Sequence, residues 1–188
     1  MANNEHEIRI ISGKYKGKLL PVLDAEGLRP TPSRVRETIF SWLSDDIENA
    51  NVLDLFSGSG ALGFEALSRG AANVTLVELN KSNCNNLKKL ATTFNTENIK
   101  VFNCDAVKFL EDSTEHFDVV FIDPPYKLDI YKDVLSLLIK RNLIDENSTV
   151  YVEMRNGSNQ AVPGYQIVKE QSAGQSKYAL WKKSQLLF

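Results

Sequence analysis

The sequence predicts an α/β fold: a doubly wound, mostly parallel seven-stranded sheet with a C-terminal antiparallel hairpin and a small N-terminal extension. Three observations carry this. From Asn51 onward, short apolar runs alternate with segments of helical period or turn composition, the pattern of a parallel sheet covered on both faces. The first run passes directly into a G-x-G-x-x-G loop at Gly58, Gly60 and Gly63 that opens a helix. The last two apolar runs flank SAGQS and read as a hairpin finishing the sheet.

Taken in order, NVLDLF, VTLVE, IKVFNC, DVVFID and STVYVE are the parallel strands, and YQIVKEQ and KYALWKK form the hairpin. The intervening helices are ALGFEALSRG, KSNCNNLKKLATTF, DAVKFLED and DIYKDVLSLLIK. Gly70 stands where a glycine ends the first of these, and Asp129 is placed to cap the last. Ahead of this pattern, EIRIISG and GKLLPV read as short strands punctuated by Gly13, Gly17 and Pro21. Ser33 to Ser44 reads as a helix, with Val35, Ile39, Phe40 and Leu43 on one face and Arg34, Glu37 and Ser41 toward solvent.

The 188 residues suit one domain able to bury a proper core. With 43% hydrophobic and 24% charged residues the composition is that of a soluble globular protein. There is no apolar run of membrane-spanning length, and the N-terminus is polar and acidic, so a cytoplasmic location and no membrane association are expected. Cys84 and Cys104 match no metal spacing, nor do His6 and His116 extend one; the expectation is reduced thiols and no metal. The net charge of −2 hides an asymmetry. Between residues 8 and 36, Arg9, Lys14, Lys16, Lys18, Arg29, Arg34 and Arg36 face only Asp24 and Glu26. Such a segment suits a polyanion at one end of the molecule, and equally a solvated basic surface; charge alone does not choose.

Ligands on doubly wound sheets bind outside the carboxyl ends of the strands. Those ends carry Asp54, Glu78, Asp105, Asp123 and Glu153, a rim suited to a cation or to a ligand rich in hydrogen-bond donors. Glu153 is the weakest member, because no motif surrounds it. The glycine loop and Glu78, placed to hold ribose hydroxyls, fit a nicotinamide dehydrogenase as well as a methyltransferase. The other strand ends decide: a pyrophosphate tolerates such carboxylates poorly, whereas S-adenosylmethionine brings a sulfonium, an ammonium and one carboxylate. Asp54 would lie under the loop near the methionine end. Asp105 would reach the adenine amino group, cap the helix beginning at Ala106, or do both.

The sharpest feature is Asp123-Pro124-Pro125-Tyr126, directly after an apolar strand. Two prolines donate no backbone hydrogen bond and bias their predecessors toward extended geometry, leaving the Asp123 and Pro124 carbonyls free. A base amino group is a poor nucleophile because its lone pair is delocalised. Accepting its hydrogens on the Asp123 carboxylate and Pro124 carbonyl would favour a more tetrahedral nitrogen, aimed at a sulfonium methyl. Tyr126 offers a ring on which an extruded base stacks.

DLFSGSG, VELN, CDA and DPPY, in that order, resemble the amino-methyltransferases of nucleic acids. The runs RIISGKYKGKLLPV and GLRPTPSRVRETIFSWL narrow the resemblance to the bacterial 16S ribosomal RNA guanine-N2 methyltransferases of the RsmD type. It covers nearly the whole chain from about Ile8, and loosens beyond YVEMRN. The resemblance implies a class I, Rossmann-like methyltransferase fold, with residues 1–45 as an RNA-addressing extension and 46–188 as the catalytic core. It implies S-adenosylmethionine held by Asp54, Phe56, Gly58, Ser59, Gly60, Glu78, Leu79, Asp105, Ala106 and Asp123. The target guanine would lie at Asp123, Pro124, Pro125 and Tyr126. RNA would be addressed by Arg9, Lys14, Lys16, Lys18, Arg29, Thr31, Arg34 and Arg36. The expected partner is 16S ribosomal RNA within a small-subunit or assembly particle, met by a monomer. Two other readings stand beside it: an adenine-N6 methyltransferase of DNA or RNA, and a non-catalytic ribosome-assembly factor that binds RNA.

Overall fold

The structure, a computed structural model, describes residues 6–23, 31–125, 130–157 and 161–184. Two short strands, His6–Arg9 (β1) and Leu19–Val22 (β2), pair antiparallel as a separate two-stranded sheet. A helix Ser33–Trp42 (α1) and a one-turn helix Ser44–Ile47 (α2) lead into the main sheet. Its first parallel strand, Asn51–Asp54 (β3), is followed by a helix Ala61–Ser68 (α3) and the strand Asn73–Val77 (β4). The alternation continues through Lys81–Thr92 (α4), Ile99–Phe102 (β5), Ala106–Asp112 (α5), Val119–Ile122 (β6) and Tyr131–Lys140 (α6). Thr149–Arg155 (β7) is the last parallel strand, and Tyr165–Ala173 (β8) with Ser176–Lys183 (β9) forms the hairpin.

The seven strands lie in the order β5-β4-β3-β6-β7-β9-β8, with β9 antiparallel to both β7 and β8. The chain winds outward from β3 through β4 to β5, then returns to place β6 on the other side of β3. The order therefore reverses between β3 and β6, which opens a crevice at their carboxyl ends.

Strand alternation divides the core into two layers. Val119 and Phe121 face one side with Phe40, Phe64, Tyr151 and Tyr178; Val120 and Ile122 face the other with Leu110, Leu135, Leu138 and Trp181. The first layer is covered by α1, α3, α4 and the small sheet, and the second by α5 and α6. The chain β1–β2 thus contributes Ile8, Ile10, Leu20 and Val22 to the same core as the parallel strands.

Helix α3 explains why the N-terminal segment is fixed there. All eight of its residues are buried, although Glu65 and Ser68 are polar and must find partners. The Glu65 carboxylate accepts from Ile11 N at 2.8 Å and Ser12 N at 3.0 Å, and Ser68 Oγ accepts from Tyr15 N at 2.9 Å. Gly13 makes the approach possible. Its φ is +84°, and a Cβ there would lie 1.8 Å from the Ser68 carbonyl oxygen, so any other residue displaces backbone.

The local differences from expectation are small. The long helix expected over Ser33 to Ser44 ends at Trp42 and restarts as α2, with Leu43 between. Gly70 ends α3 with φ +103°, but the expected Asp129 cap lies outside the described residues. The hairpin strands extend into SAGQS, because Ala173 pairs with Ser176 around a two-residue turn at Gly174 and Gln175. Among the described residues, no helix is long and apolar enough to cross a membrane.

Candidate active site

The crevice is built first by the turn after β3. Asp54, the last residue of that strand, is buried, and its Oδ2 accepts from Gly63 N at 3.1 Å in the first turn of α3. Ser57 Oγ donates to the Asp54 carbonyl at 2.8 Å, and Ser57 N donates to Val77 O at 3.0 Å, tying the loop to two strands. Gly60 sits at the helix start with φ +79°, where a Cβ would come within 2.5 Å of the Phe64 ring. Burial pushes the Asp54 carboxyl up to about 7, against the Gly63 hydrogen bond, and the nearby Glu78 charge adds to the rise.

Glu78 follows β4 and uses both oxygens on backbone: Oε2 accepts from Gly58 N at 2.8 Å and Oε1 from Asn80 N at 2.7 Å. Asn103 reinforces this corner by donating to the Glu78 and Leu79 carbonyls, each at 2.8 Å. The Leu79 side chain stands 67% exposed beside it. After β5, Asp105 caps α5 by accepting from Lys108 N at 3.1 Å, and Ala106 is buried behind it. The helix-cap reading of Asp105 is thus observed, and its carboxylate remains on the exposed rim. Phe56 and Ser59 lie within the loop, partly buried and buried respectively.

Asp123 lies one residue beyond β6, across the switch point from Asp54. Its Oδ2 accepts from Thr31 Oγ1 at 3.3 Å, which brings the chain just before α1 onto the rim. The carboxyl is held well above the ordinary range, by burial first, then by the charges of Glu153 and Asp54, with Thr31 opposing. Pro124 is buried and Pro125 exposed, while Tyr126 lies outside the described residues.

The structure redistributes the expected basic surface. Arg9, Lys14, Lys16 and Arg34 are exposed. Arg36 is not: it is buried, its Nη1 lies 3.5 Å from Glu65 Oε2, and both Nη atoms donate to the Arg9 carbonyl at 3.2 Å. The expectation that it addresses RNA is corrected on that ground; it joins Arg69, whose Nε lies 2.8 Å from Glu65 Oε1, in neutralising Glu65, and burial depresses its pKa while Glu65 opposes the fall. Thr31 is likewise tucked in, at 9% exposure, and serves Asp123. Lys18 donates to the Thr93 carbonyl at the end of α4 (3.0 Å) and lies over the Phe94 ring. Arg29 lies outside the described residues. What sequence reasoning missed is that Thr31 donates to Asp123 and that the charge of Glu153, on the neighbouring strand, acts on it. The signal was the strand order, which sets β7 beside β6.

A family profile described as conserved hypothetical protein 95 matches residues 8–182. The chain is 42% identical over 185 residues to the ribosomal RNA small subunit methyltransferase D of Haemophilus influenzae, covering 96% of each. It is 40% identical over 179 residues to the Escherichia coli protein of the same name, covering 94% of this chain and 90% of that one. The chain belongs to the RsmD family. The solved structure of the Escherichia coli protein yhhF superposes on it with a TM-score of 0.86 at 38% identity, covering 95% of this chain and 98% of that one. The seven-stranded sheet, the small two-stranded sheet and the C-terminal hairpin are therefore a methyltransferase fold of this family.

Proposed function

We propose that this chain methylates the exocyclic N2 amino group of a guanine in 16S ribosomal RNA, using S-adenosylmethionine. The observation that carries the reading is Asp123-Pro124 at the switch point of a methyltransferase fold, with Asp54 facing it across the crevice. The relatives named as small-subunit ribosomal RNA methyltransferases supply the substrate class.

The residues present fit S-adenosylmethionine. The Asp54, Glu78, Asp105 and Asp123 carboxyls accept hydrogen bonds and favour positive charge, which suits a sulfonium and an ammonium and disfavours a pyrophosphate. Asp54 is the clearest indicator, because a buried carboxyl held at about 7 gains from a cation placed beside it. Gly58, Ser59 and Gly60 would pass beneath the ligand, Glu78 would hold the ribose, and Phe56, Leu79, Asp105 and Ala106 would surround the adenine. Bound there, the cofactor supplies an activated methyl group.

The chain's own residues do the rest. Asp123 and the Pro124 carbonyl accept the hydrogens of the target amino group and orient its lone pair, while Tyr126 stacks on the extruded base. Arg9, Lys14, Lys16 and Arg34 contact phosphates, fixing position without reading sequence. Residues 1–45 serve this role as an extension that Ile11, Ser12 and Tyr15 tie to α3, and 46–188 form the catalytic core.

The test is Asp123→Asn. It should abolish methyl transfer to 16S ribosomal RNA while S-adenosylmethionine binding, measured by calorimetry, is retained through Asp54, Glu78 and Asp105. Full transfer by this variant refutes the assignment.

A further inference from the structure

We propose that the outer face of α4 is an RNA-binding track, along which ribosomal RNA lies between the N-terminal lysines and the catalytic crevice. The proposal rests on the methyl-transfer reading above and adds to it a surface outside the basic N-terminal segment.

The N-terminal lysines sit far from the target site. Helices α3 and α4 both start at the rim, after the loop at Gly58 and Gly60 and after Glu78, and run back along the sheet. Lys14 N donates at 2.7 Å to the carbonyl of Ser68, the last residue of α3. Lys18 Nζ donates to Thr93 O and the Tyr15 hydroxyl to Phe94 O, each at 3.0 Å and both just past the end of α4. The turn between β1 and β2 is therefore pinned at the end of the domain opposite Asp123. The 12 residues of α4 make a rod about 18 Å long, and that rod separates these lysines from the rim. A phosphate held at Lys14 or Lys16 places a guanine at Asp123 only if the RNA is also held in between.

Helix α4 can provide that hold. Its Asn83, Cys84, Leu87 and Leu90 are buried. At about 100° per residue the opposite face carries Lys81, Asn85, Lys88, Lys89 and Thr92, and all five are exposed. The sequence has no acid between Glu78 and Glu97, whereas every other described helix contains Asp or Glu. Glu78 is itself occupied by the Gly58 and Asn80 amides. Lys100, Lys108 and Lys177 each meet a carboxylate, but Lys81, Lys88 and Lys89 form no ion pair with a described residue.

A solvated helix face normally alternates the sign of its charges. A face of lysines interleaved with neutral hydrogen-bonding groups instead suits phosphates and sugars. The small sheet adjoins this face along its flank: Asn86 Nδ2 donates to the Pro21 carbonyl at 3.0 Å, and Lys18 lies over the Phe94 ring. The two sets of lysines thus form one surface leading from the far end of the domain toward Lys81 at the rim. Such contacts fix where the RNA lies and leave the choice of base to Asp123 and Pro124.

The test compares two double variants that each remove two exposed lysines. One is Lys88→Gln with Lys89→Gln. The other is Lys140→Gln with Lys169→Gln, on α6 over the other face of the sheet and on β8 at the edge away from α4. Binding to free 16S ribosomal RNA and to small subunits from cells lacking this protein is measured against salt, together with KM for RNA and S-adenosylmethionine affinity. The α4 pair should make the log–log salt slope shallower by about 1.4 to 1.8, at 0.7 to 0.9 per lost phosphate contact. It should raise KM for RNA about tenfold at low salt and leave cofactor affinity unchanged, which also shows that the variant is folded. The other pair should change neither slope nor KM. An unchanged slope in the α4 pair overturns the proposal, as do equal effects of the two pairs, which would reflect net charge alone. Weaker binding to subunits with free RNA unaffected also overturns it, because the lysines would then face a protein. If the slope shifts as expected but the unaltered chain methylates no RNA, the reaction reading fails and the track stands; normal methylation with an unshifted slope is the reverse.

Discussion

Replacing Asp54 by Asn should change how stability depends on pH, by an amount set by the burial of one carboxyl. Asp54 titrates at about 7 in the folded chain against an ordinary value of 3.8. Between those values the folded state binds the more protons, so stability falls as pH rises from about 4 through about 7 and is level beyond. Holding the carboxylate ionised in the core costs ~4 kcal/mol at the upper plateau. Asn keeps an oxygen for Gly63 N and has no charge to bury. Urea denaturation of both proteins from pH 4 to pH 8 should therefore show the unaltered chain losing several kcal/mol relative to Asp54→Asn. Parallel curves would mean that Asp54 is not a buried, destabilising carboxylate. The same coupling makes S-adenosylmethionine binding release a proton, so the affinity of the unaltered chain should improve as pH rises toward 7 and that of Asp54→Asn should not.

Glu65→Ala removes the carboxylate that holds Ile11 N, Ser12 N and buried Arg36. It should cost about 3–5 kcal/mol in chemical denaturation, because an unpaired guanidinium is left inside; a loss below about 1 kcal/mol contradicts this account. Gly60→Ala puts a Cβ at 2.5 Å from the Phe64 ring on a residue with φ +79°. The strain of about 1–3 kcal/mol should appear as a weakening of S-adenosylmethionine binding by about fivefold or more in calorimetry, and unchanged affinity would count against the loop as the cofactor site. Lys14→Ala and Lys16→Ala should each make RNA binding less salt-dependent, with the log–log slope shallower by about 0.7 to 0.9 per lost phosphate contact. No change in slope would remove these lysines from the RNA surface.

The centre of the sheet was legible because β3, β4, β6 and β7 are buried on both faces and read as continuous apolar runs, while the helices between them carry a different period. The strand-end carboxylates were legible for the same reason: the register of an apolar run points to its own exit. The partners of those carboxylates were not legible. Thr31 reaches Asp123 from far away in sequence, and the charge of Glu153 acts on it only because β7 lies beside β6. Arg36 illustrates the opposite error. Its place in a basic segment suggested an exposed phosphate contact, yet helical geometry puts it on the buried side of α1 with Ile39 and Phe40. What could have found it is Glu65, an acid inside a helix whose every other residue is small, apolar or neutral. An ion in so buried a helix needs countercharge; Arg69, one turn on, supplies the nearer part at 2.8 Å and Arg36 the second at 3.5 Å.

Labelled methyl transfer from S-adenosylmethionine to RNA and small ribosomal subunits from cells lacking this protein, followed by nucleoside analysis, decides the reaction and its target atom. The expected product is N2-methylguanosine in 16S ribosomal RNA. Label in N6-methyladenosine, or cofactor binding with no label in any RNA, would contradict it.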